Sequence, residues 1–333
     1  MVPLSLSALP RPRRTKRPEV AMVCAFLLAA CAVAAGVESA DPAAQRSLVR
    51  FAFSKSLFNE VNENDARAAV KVYSEILADE NGITTGGGTL VLEGTNTMAE
   101  ALRLNQVDLL SVTAEEFFAL EDSGLTGPLL LTSVKDSFTE EYVVLVREAS
   151  KLRKLEDLQG RSVIVSSEIR GSLAHLWLEV LCREHGLGPV EQAFARVTRA
   201  SKPTLVILPV FFGKADACIT TRSSWTVMGE LNPQVTKQLR FLAVSKPLVP
   251  AMTAFRRDFR EDLRQRIIQS AETSYTKPSL QQLMGLFKTD SLVCQPLSVL
   301  ESTRELLASH RRLCAPTNAV AARVSVPAEG GVP

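Results

Sequence analysis

Aromatic residues are scarce here: two tryptophans, three tyrosines and 14 phenylalanines amount to 6% of 333 residues. So few flat side chains argue against a platform for stacking nucleic-acid bases. Histidine is rarer still. His175, His185 and His310 are the only three, and their spacing builds no zinc site. The six cysteines contain no Cys-x-x-Cys pair, which leaves neither a thioredoxin-type redox motif nor a zinc ribbon. No P-loop and no nucleophile elbow is present. Charge of one sign is lacking too, since 38 basic residues face 36 acidic ones. The basic excess sits at the start. Arg11, Arg13, Arg14, Lys16 and Arg17 outweigh Glu19 by +4 against +2 for the whole chain, so the remainder is acidic by two charges. A chain body of that charge has no electrostatic footprint for DNA or RNA.

Long apolar runs are also missing. The one candidate, AMVCAFLLAACAVAAG after the basic RPRRTKRP, ends near residue 36 and falls short of the roughly 20 residues of a spanning helix. Basic stretch plus short apolar run predicts an export signal over residues 1–36. Within it Leu28-Ala29-Ala30-Cys31 resembles a bacterial lipobox, which makes Cys31 the expected lipidation site and first mature residue. Cleavage at Ala-Val-Ala-Ala-Gly is the alternative. Of the other cysteines, Cys182 and Cys218 fall on a predicted helix and strand and read as small buried hydrophobes. Cys294 and Cys314 are free to form a disulfide in an oxidising compartment.

What the sequence does contain is alternation. LVRFAF reads as a strand, and residues 60–79 place Ala66, Ala69, Val70, Tyr73, Ile76 and Leu77 on one helical face. Strands TLVLEG and VDLLSV follow, each leading to a helix with capping-box spacing, Thr97 with Glu100 and Thr113 with Glu116. LLLTSV and EYVVLVR read as two more strands. The polar KLRKLEDLQGRS, 151–162, predicts a passage to a second lobe. That lobe opens with RSVIVS and a helix whose stripe is Leu173, Leu176, Trp177, Val180 and Leu181. FARVTR, an apolar segment near 203–212 that Pro209 should end or kink, ADACITT and RFLAVS complete it. Charged helices at 258–272, 278–287 and 297–312 follow, then a tail of small residues, Pro and Gly.

This order predicts an α/β protein with largely parallel sheets. The expected division is lobe 1 at 48–147 plus 250–312, lobe 2 at 160–245, and a disordered tail at 315–333. LNQVDLLSVT and FGKADACITT share one plan: a helix end, a turn, an Asp one position into an apolar strand, and a Ser/Thr exit. That echo suggests the same βα unit used once per lobe.

In open α/β sheets, ligands bind beyond the carboxyl ends of strands, where helix N-termini favour anions. Several exits are rich in hydroxyls. Lobe 1 offers Ser54, Lys55, Thr95, Asn96, Ser111 and Thr113; lobe 2 offers Ser166, Ser167, Ser172, Thr220 and Thr221. Arg170 and Arg222 add charge-assisted contacts, and Gly171 permits close backbone approach. The same hydroxyls are also preferred helix N-caps, so repetition across both halves is the signal. Asp216 occupies the place that Asp108 holds in the other half, which argues for a turn residue.

The runs ALRLNQVDLLSVTAEEF, LEDLQGRSVIVSS, FFGKADACITTRSSW and GELNPQVTKQLRFLAVSKPLVP resemble the phosphate/phosphite/phosphonate substrate-binding proteins of ABC transporters. The resemblance is collinear over about residues 48–270. It implies the type 2 periplasmic-binding-protein fold, two α/β lobes with a ligand cleft between them, and a non-catalytic role in handing an oxyanion to a permease. That family often carries a Ser-Thr-Ser-Gly-like turn for the phosphonate group. Here the turn is Ser166-Ser167-Glu168-Ile169-Arg170-Gly171-Ser172, and Glu168 would repel an anion if it faced the cleft. The resulting expectation is an exported, monomeric solute-binding protein, periplasmic or lipid-anchored. Its partners are a small anionic ligand and an ABC permease, with no catalytic residues, cofactor, metal or nucleic acid. The alternative is a sensor module that reports a ligand to a membrane partner such as a kinase.

Overall fold

Strands and helices alternate along the chain in the predicted order. The computed structural model describes residues 47–58, 63–80, 82–85, 89–276 and 289–315, with isolated positions between 277 and 288. The expected export signal, Cys31, most of the 278–287 helix and the tail after Ala315 lie outside the described residues.

The first part comprises β1 (Ser47–Val49), β2 (Phe51–Ser54), α1 (Glu63–Glu80), β3 (Ile83–Thr85), β4 (Leu90–Leu92), α2 (Thr95–Arg103), β5 (Leu109–Thr113), α3 (Ala114–Ala119) and β6 (Leu125–Ser133). The second comprises β7 (Tyr142–Arg147), β8 (Ser162–Ser166), α4 (Ala174–Glu184), α5 (Val190–Ala193), β9 (Arg196–Ala200), α6 (Pro203–Phe211), β10 (Ala217–Thr221), α7 (Arg222–Leu231), α8 (Pro233–Gln238) and β11 (Leu239–Val244). The chain then returns with β12 (Ala251–Arg256), α9 (Glu261–Thr273), β13 (Ser291–Gln295) and α10 (Glu301–Cys314).

Two sheets result. The first runs β13-β6-β12-β5-β2-β4 and the second β11-β7-β10-β8-β9, beside a small β1-β3 pair. Their plans correspond. In each, three strands pair in parallel, β4-β2-β5 and β9-β8-β10. In each, the next strand is antiparallel and belongs to the other side of a crossover, β12 in the first sheet and β7 in the second. The sheets are therefore mixed, not largely parallel as the alternation suggested. The returning strands come in from the opposite direction, which hydropathy does not record.

The lobe boundary also differs from the sequence reading. EYVVLVR, assigned above to lobe 1, is β7 and lies in the second sheet between β10 and β11. Val143 to Val146 are fully buried, as a central strand covered on both faces requires. The polar 151–162 stretch is a connection within lobe 2. The passage between lobes occurs at 134–141 and the return at 245–250. These two segments pair at Glu140 and Leu248, whose N–H groups donate to each other's carbonyls at 2.8 and 2.9 Å.

Local signals were read unevenly well. Thr113 caps α3 and closes a capping box with Glu116. Thr97 and Glu100 form none, because α2 starts two residues earlier, after Gly94 at φ 82°, with no side-chain cap. Pro209 falls in the last turn of α6, which stops two residues later at Phe211, as expected of a residue that cannot donate to the carbonyl four residues back. Cys182, Cys218, Cys294 and Cys314 are all free, so the Cys294–Cys314 bridge is not formed. The echoed aspartates act alike. Asp108 accepts the Arg50 N–H at 3.0 Å and Asp216 the Ser162 N–H at 2.9 Å, each tying its strand to the parallel neighbour. Helix α10 packs against α4 of lobe 2 and α3 of lobe 1. Its Thr303 hydroxyl accepts the buried Val249 N–H of the return crossover at 2.9 Å.

Candidate functional site

Strand direction fixes where a ligand can enter. Parallel pairing puts the carboxyl ends of β2, β4 and β5 on one edge of the first sheet and those of β8, β9 and β10 on one edge of the second. Both edges face the crossovers. Thr113 pairs with Ala251, and Ala114 N–H donates to the Pro250 carbonyl at 2.8 Å. Thr221 pairs with Tyr142, and Arg222 N–H donates to the Glu141 carbonyl at 2.8 Å. The carboxyl edges of the two sheets thus converge on the paired segments that join them, at the points where strand order reverses.

Most expected ligand groups of lobe 1 already have protein partners. The Glu116 carboxylate accepts the Ser54 hydroxyl at 2.6 Å and the Ser56 hydroxyl at 2.8 Å on Oε1. Its Oε2 accepts the Thr113 N–H at 3.0 Å and the Thr113 hydroxyl at 3.1 Å. Ser111 bonds Thr253 on β12 at 2.6 Å, within the sheet. Lys55 pairs with Glu93 at 2.8 Å. The exit that no carboxylate fills is the start of α2. Thr95 is half-buried and Asn96 exposed, no side chain caps the helix, and its first turn carries no acid. That end retains unpaired N–H groups and the positive end of the dipole.

In lobe 2, Ser166 and Gly171 are buried, and Ser167 is exposed. A Cβ on Gly171 would lie 2.5 Å from Ser166 Oγ and 3.2 Å from Glu168 Cγ, so only glycine lets this turn fold so tightly. The hydroxyls of Ser172 and Thr220 are buried without a hydrogen-bond partner. Thr221 caps α7 and accepts the Ser224 N–H at 3.1 Å. Both arginines carry ion pairs. Arg170 is bonded to the buried Glu140, which also accepts the Ser223 hydroxyl at 2.7 Å. Arg222 pairs with Glu141 and lies over the Phe241 ring, 4.8 Å from its centroid. The sequence reading expected both arginines to meet an anion. Consecutive carboxylates of the first crossover take them instead, tying the turns of lobe 2 to the segment between the lobes. Asp216 is engaged by Ser162 alone, as a turn residue would be.

Sequence reasoning read Glu116 only as a helix cap and missed Glu140, Glu141 and Tyr142. The phenol of Tyr142, fully buried, donates to the Arg170 carbonyl at 2.7 Å. Burial, then the Glu140 charge, pushes that phenol far above its ordinary pKa, so it remains a neutral donor. The consecutive acids Glu140-Glu141 at the start of a strand were the available signal; Arg170 and Arg222 meet them only in the fold.

A cavity of about 430 Å³ lies where the lobes meet α10, lined by Glu115, Phe118 and Ala119 of α3, Leu176 of α4, and Leu307, His310 and Arg311. Burial and the neighbouring Glu116 raise the Glu115 pKa, against the lowering effect of Arg199 across the seam. No group of three or more candidate metal ligands occurs among the described residues.

Residues 62–293 match the family described as ABC transporter, phosphonate, periplasmic substrate-binding protein. The chain belongs to that family. It is therefore a solute-binding component of the ABC-transporter type, and the family's periplasmic description implies an extracytoplasmic location. Solved structures agree on the fold. XAC2383 of Xanthomonas citri, bound to chloride, is 16% identical, with 80% of this chain and 98% of that one covered and a TM-score of 0.56. A binding protein of an ABC phosphonate transporter from Pseudomonas aeruginosa is 12% identical, with 83% and 90% covered and a TM-score of 0.54. PhnD1 of Prochlorococcus marinus, in complex with methylphosphonate, is 13% identical, with 78% and 97% covered and a TM-score of 0.51. No curated protein sequence matches the chain. No helix among the described residues is long and apolar enough to cross a membrane.

Proposed function

We propose that this phosphonate-family binding protein captures a small oxyanion between its lobes and presents it to an ABC permease. Capture works by hinge closure about residues 134–141 and 245–250, a switching motion in which two short segments absorb the change. The observation that carries this reading is the convergence of both carboxyl edges on those crossovers. From lobe 1, Thr95 and Asn96 with the uncapped start of α2 hold the anionic end of the ligand. From lobe 2, the Ser166–Ser172 turn and the Thr220–Thr221 exit close over it. Ser54, Ser111 and Thr113 shape the first edge through Glu116 and Thr253, not by direct contact. A lipid at Cys31 would keep a monomeric receptor close to its permease. The family match favours solute capture over the sensor alternative.

A thermal-shift screen against phosphate, phosphite, methylphosphonate, 2-aminoethylphosphonate, sulfate and molybdate tests the reading. Ligand that binds only the folded state raises the melting temperature saturably. Asn96→Asp should reduce that rise by placing a negative charge where the anion docks. It should not lower the melting temperature without ligand, because an acid at a helix start is favourable. Flat responses to the whole panel would refute oxyanion capture.

A further inference from the structure

The amino edge of the second sheet differs in charge from the rest of the chain. Strand order and register bring four basic residues there: Arg147 ends β7, Arg161 precedes β8, Arg196 opens β9 and Lys214 precedes β10. All four are exposed. Two acids lie among them. Asp216 is bonded to Ser162, and Glu148 is paired with Arg153 and Arg240. From Arg196 to Ala215 the sequence holds no acidic residue. This edge is therefore basic, in a chain whose body beyond the first 30 residues is acidic by two charges.

Apolar surface accompanies that charge. Helix α6 runs from the carboxyl edge back to this one and buries Val206, Ile207 and Val210. On its other face Leu205 is 57% and Phe212 64% exposed, two turns apart and in line. Phe212 stands at the basic end. A Cβ on the next residue, Gly213, would lie 2.8 Å from Arg147 Nη1, so that guanidinium rests against the turn between Phe212 and Lys214. An exposed aromatic ring rimmed by guanidinium and ammonium groups matches a lipid–water interface, where the ring enters the acyl boundary and the cations meet phosphates. A second copy of the same edge would instead bring like charges together.

We propose that this edge of lobe 2, Phe212 with Arg147, Arg161, Arg196 and Lys214, is a docking surface for a membrane containing anionic phospholipid. It lies at the end of the sheet opposite the carboxyl edge, so a protein seated on it holds the candidate cleft away from the lipid. The proposal is independent of which solute is captured.

Vesicle sedimentation of the exported protein tests it, with phosphatidylcholine alone against equal parts phosphatidylcholine and phosphatidylglycerol. Binding to the mixed vesicles should be about tenfold tighter or more, since each basic residue near an anionic surface contributes about fivefold. The preference should fall as salt is raised. Arg161→Gln combined with Lys214→Gln should cut binding to the mixed vesicles about tenfold, and Phe212→Ser should weaken the binding that survives high salt. An acyl chain at Cys31 would act alike on both vesicles and on every variant, so the preference reads the patch. Inorganic phosphate at matched ionic strength should not displace the protein; displacement would mean a phosphate site in place of a membrane surface and would overturn the proposal. Equal wild-type binding to the two vesicles, or an unchanged preference in the folded double variant, would overturn it as well. The wild-type preference needs no variant, so a poorly folding substitution leaves the test intact.

Discussion

Asp108 is the most heavily bonded carboxylate of the first sheet, and its removal gives a sharp test of how that sheet is held. Its side chain is 2% exposed and accepts four hydrogen bonds. Three come from Arg50, through the backbone N–H at 3.0 Å, Nε at 2.9 Å and Nη2 at 3.2 Å. The fourth comes from Arg256 of β12 at 3.0 Å. The carboxylate thereby joins β5 to β2 on one side and β12 on the other. Breaking a buried ion pair by removing one partner costs about 3–5 kcal/mol. Both arginines keep some exposure, 33% for Arg50 and 16% for Arg256, so partial rehydration moves the expected loss for Asp108→Ala to the low end, about 3 kcal/mol. Asparagine is no remedy, because its amide would turn one donor toward another. For a chain of 333 residues, about 3 kcal/mol corresponds to a melting shift of roughly 4–5 °C. Denaturant unfolding followed by circular dichroism, with the slope checked for constancy, reads the loss directly. A loss below about 1 kcal/mol, the range of an exposed ion pair, would refute the claim that this carboxylate anchors the sheet.

Three further outcomes follow from the same reasoning. Asp216 is the counterpart in lobe 2, half-buried and bonded only to the N–H and hydroxyl of Ser162, so Asp216→Ala should cost about 1–2 kcal/mol, less than Asp108→Ala. Burial alone would raise the Asp216 pKa, but the two Ser162 hydrogen bonds, with Arg161 and Arg147 nearby, hold it below the ordinary 3.8. Its stabilisation is therefore complete above that value and is lost as pH falls through the lower folded-state pKa, so the cost of the substitution should shrink in acid. Glu115 has the opposite sign: its folded pKa is raised above 4.5, so its charge weakens the fold at neutral pH. Glu115→Gln should raise the melting temperature at pH 7, with the gain fading below pH 4.5; equal gains at both pH values would refute the assignment. Thiol labelling of the native protein with iodoacetamide, mapped by peptide mass, should modify Cys294 and Cys314 and spare Cys182 and Cys218. Burial pushes the Cys182 thiol up to about 12 and raises Cys218 as well, so neither supplies thiolate at pH 8.

The division of fold from site in this chain has a physical reason. Strand order was legible because each βα unit repeats one grammar: an apolar run, a hydroxyl exit and an amphipathic helix. Asp108 in VDLLSV and Asp216 in ADACITT were legible as equivalents because both do the same local task at the start of a strand. EYVVLVR was misplaced because five consecutive buried positions, Tyr142 to Val146, look the same in either sheet; only partner strands far away in sequence decide. The site was harder for a related reason. A hydroxyl at a strand exit accepts or donates with equal ease, so Ser54, Thr113 and Ser224 fit an anion, a cap or an internal carboxylate alike. What decides among these is which acid the fold delivers to them: Glu116 one helical turn after Thr113, Glu140 from a crossover 83 residues before Ser223, and Glu168 from the facing turn.

That delivery changes what the family's architecture presents to a solute. The two arginines of lobe 2 are paired with Glu140 and Glu141. Under the proposed capture, the anion is then drawn chiefly by the backbone dipole at the start of α2, whose first turn carries no acid. Asn96→Asp, which sets a negative charge against that dipole, should therefore weaken capture of an oxyanion more than Ser167→Ala, which removes one hydroxyl of the facing turn. Equal losses in a titration of the two variants would mean that the dipole is not what attracts the anion.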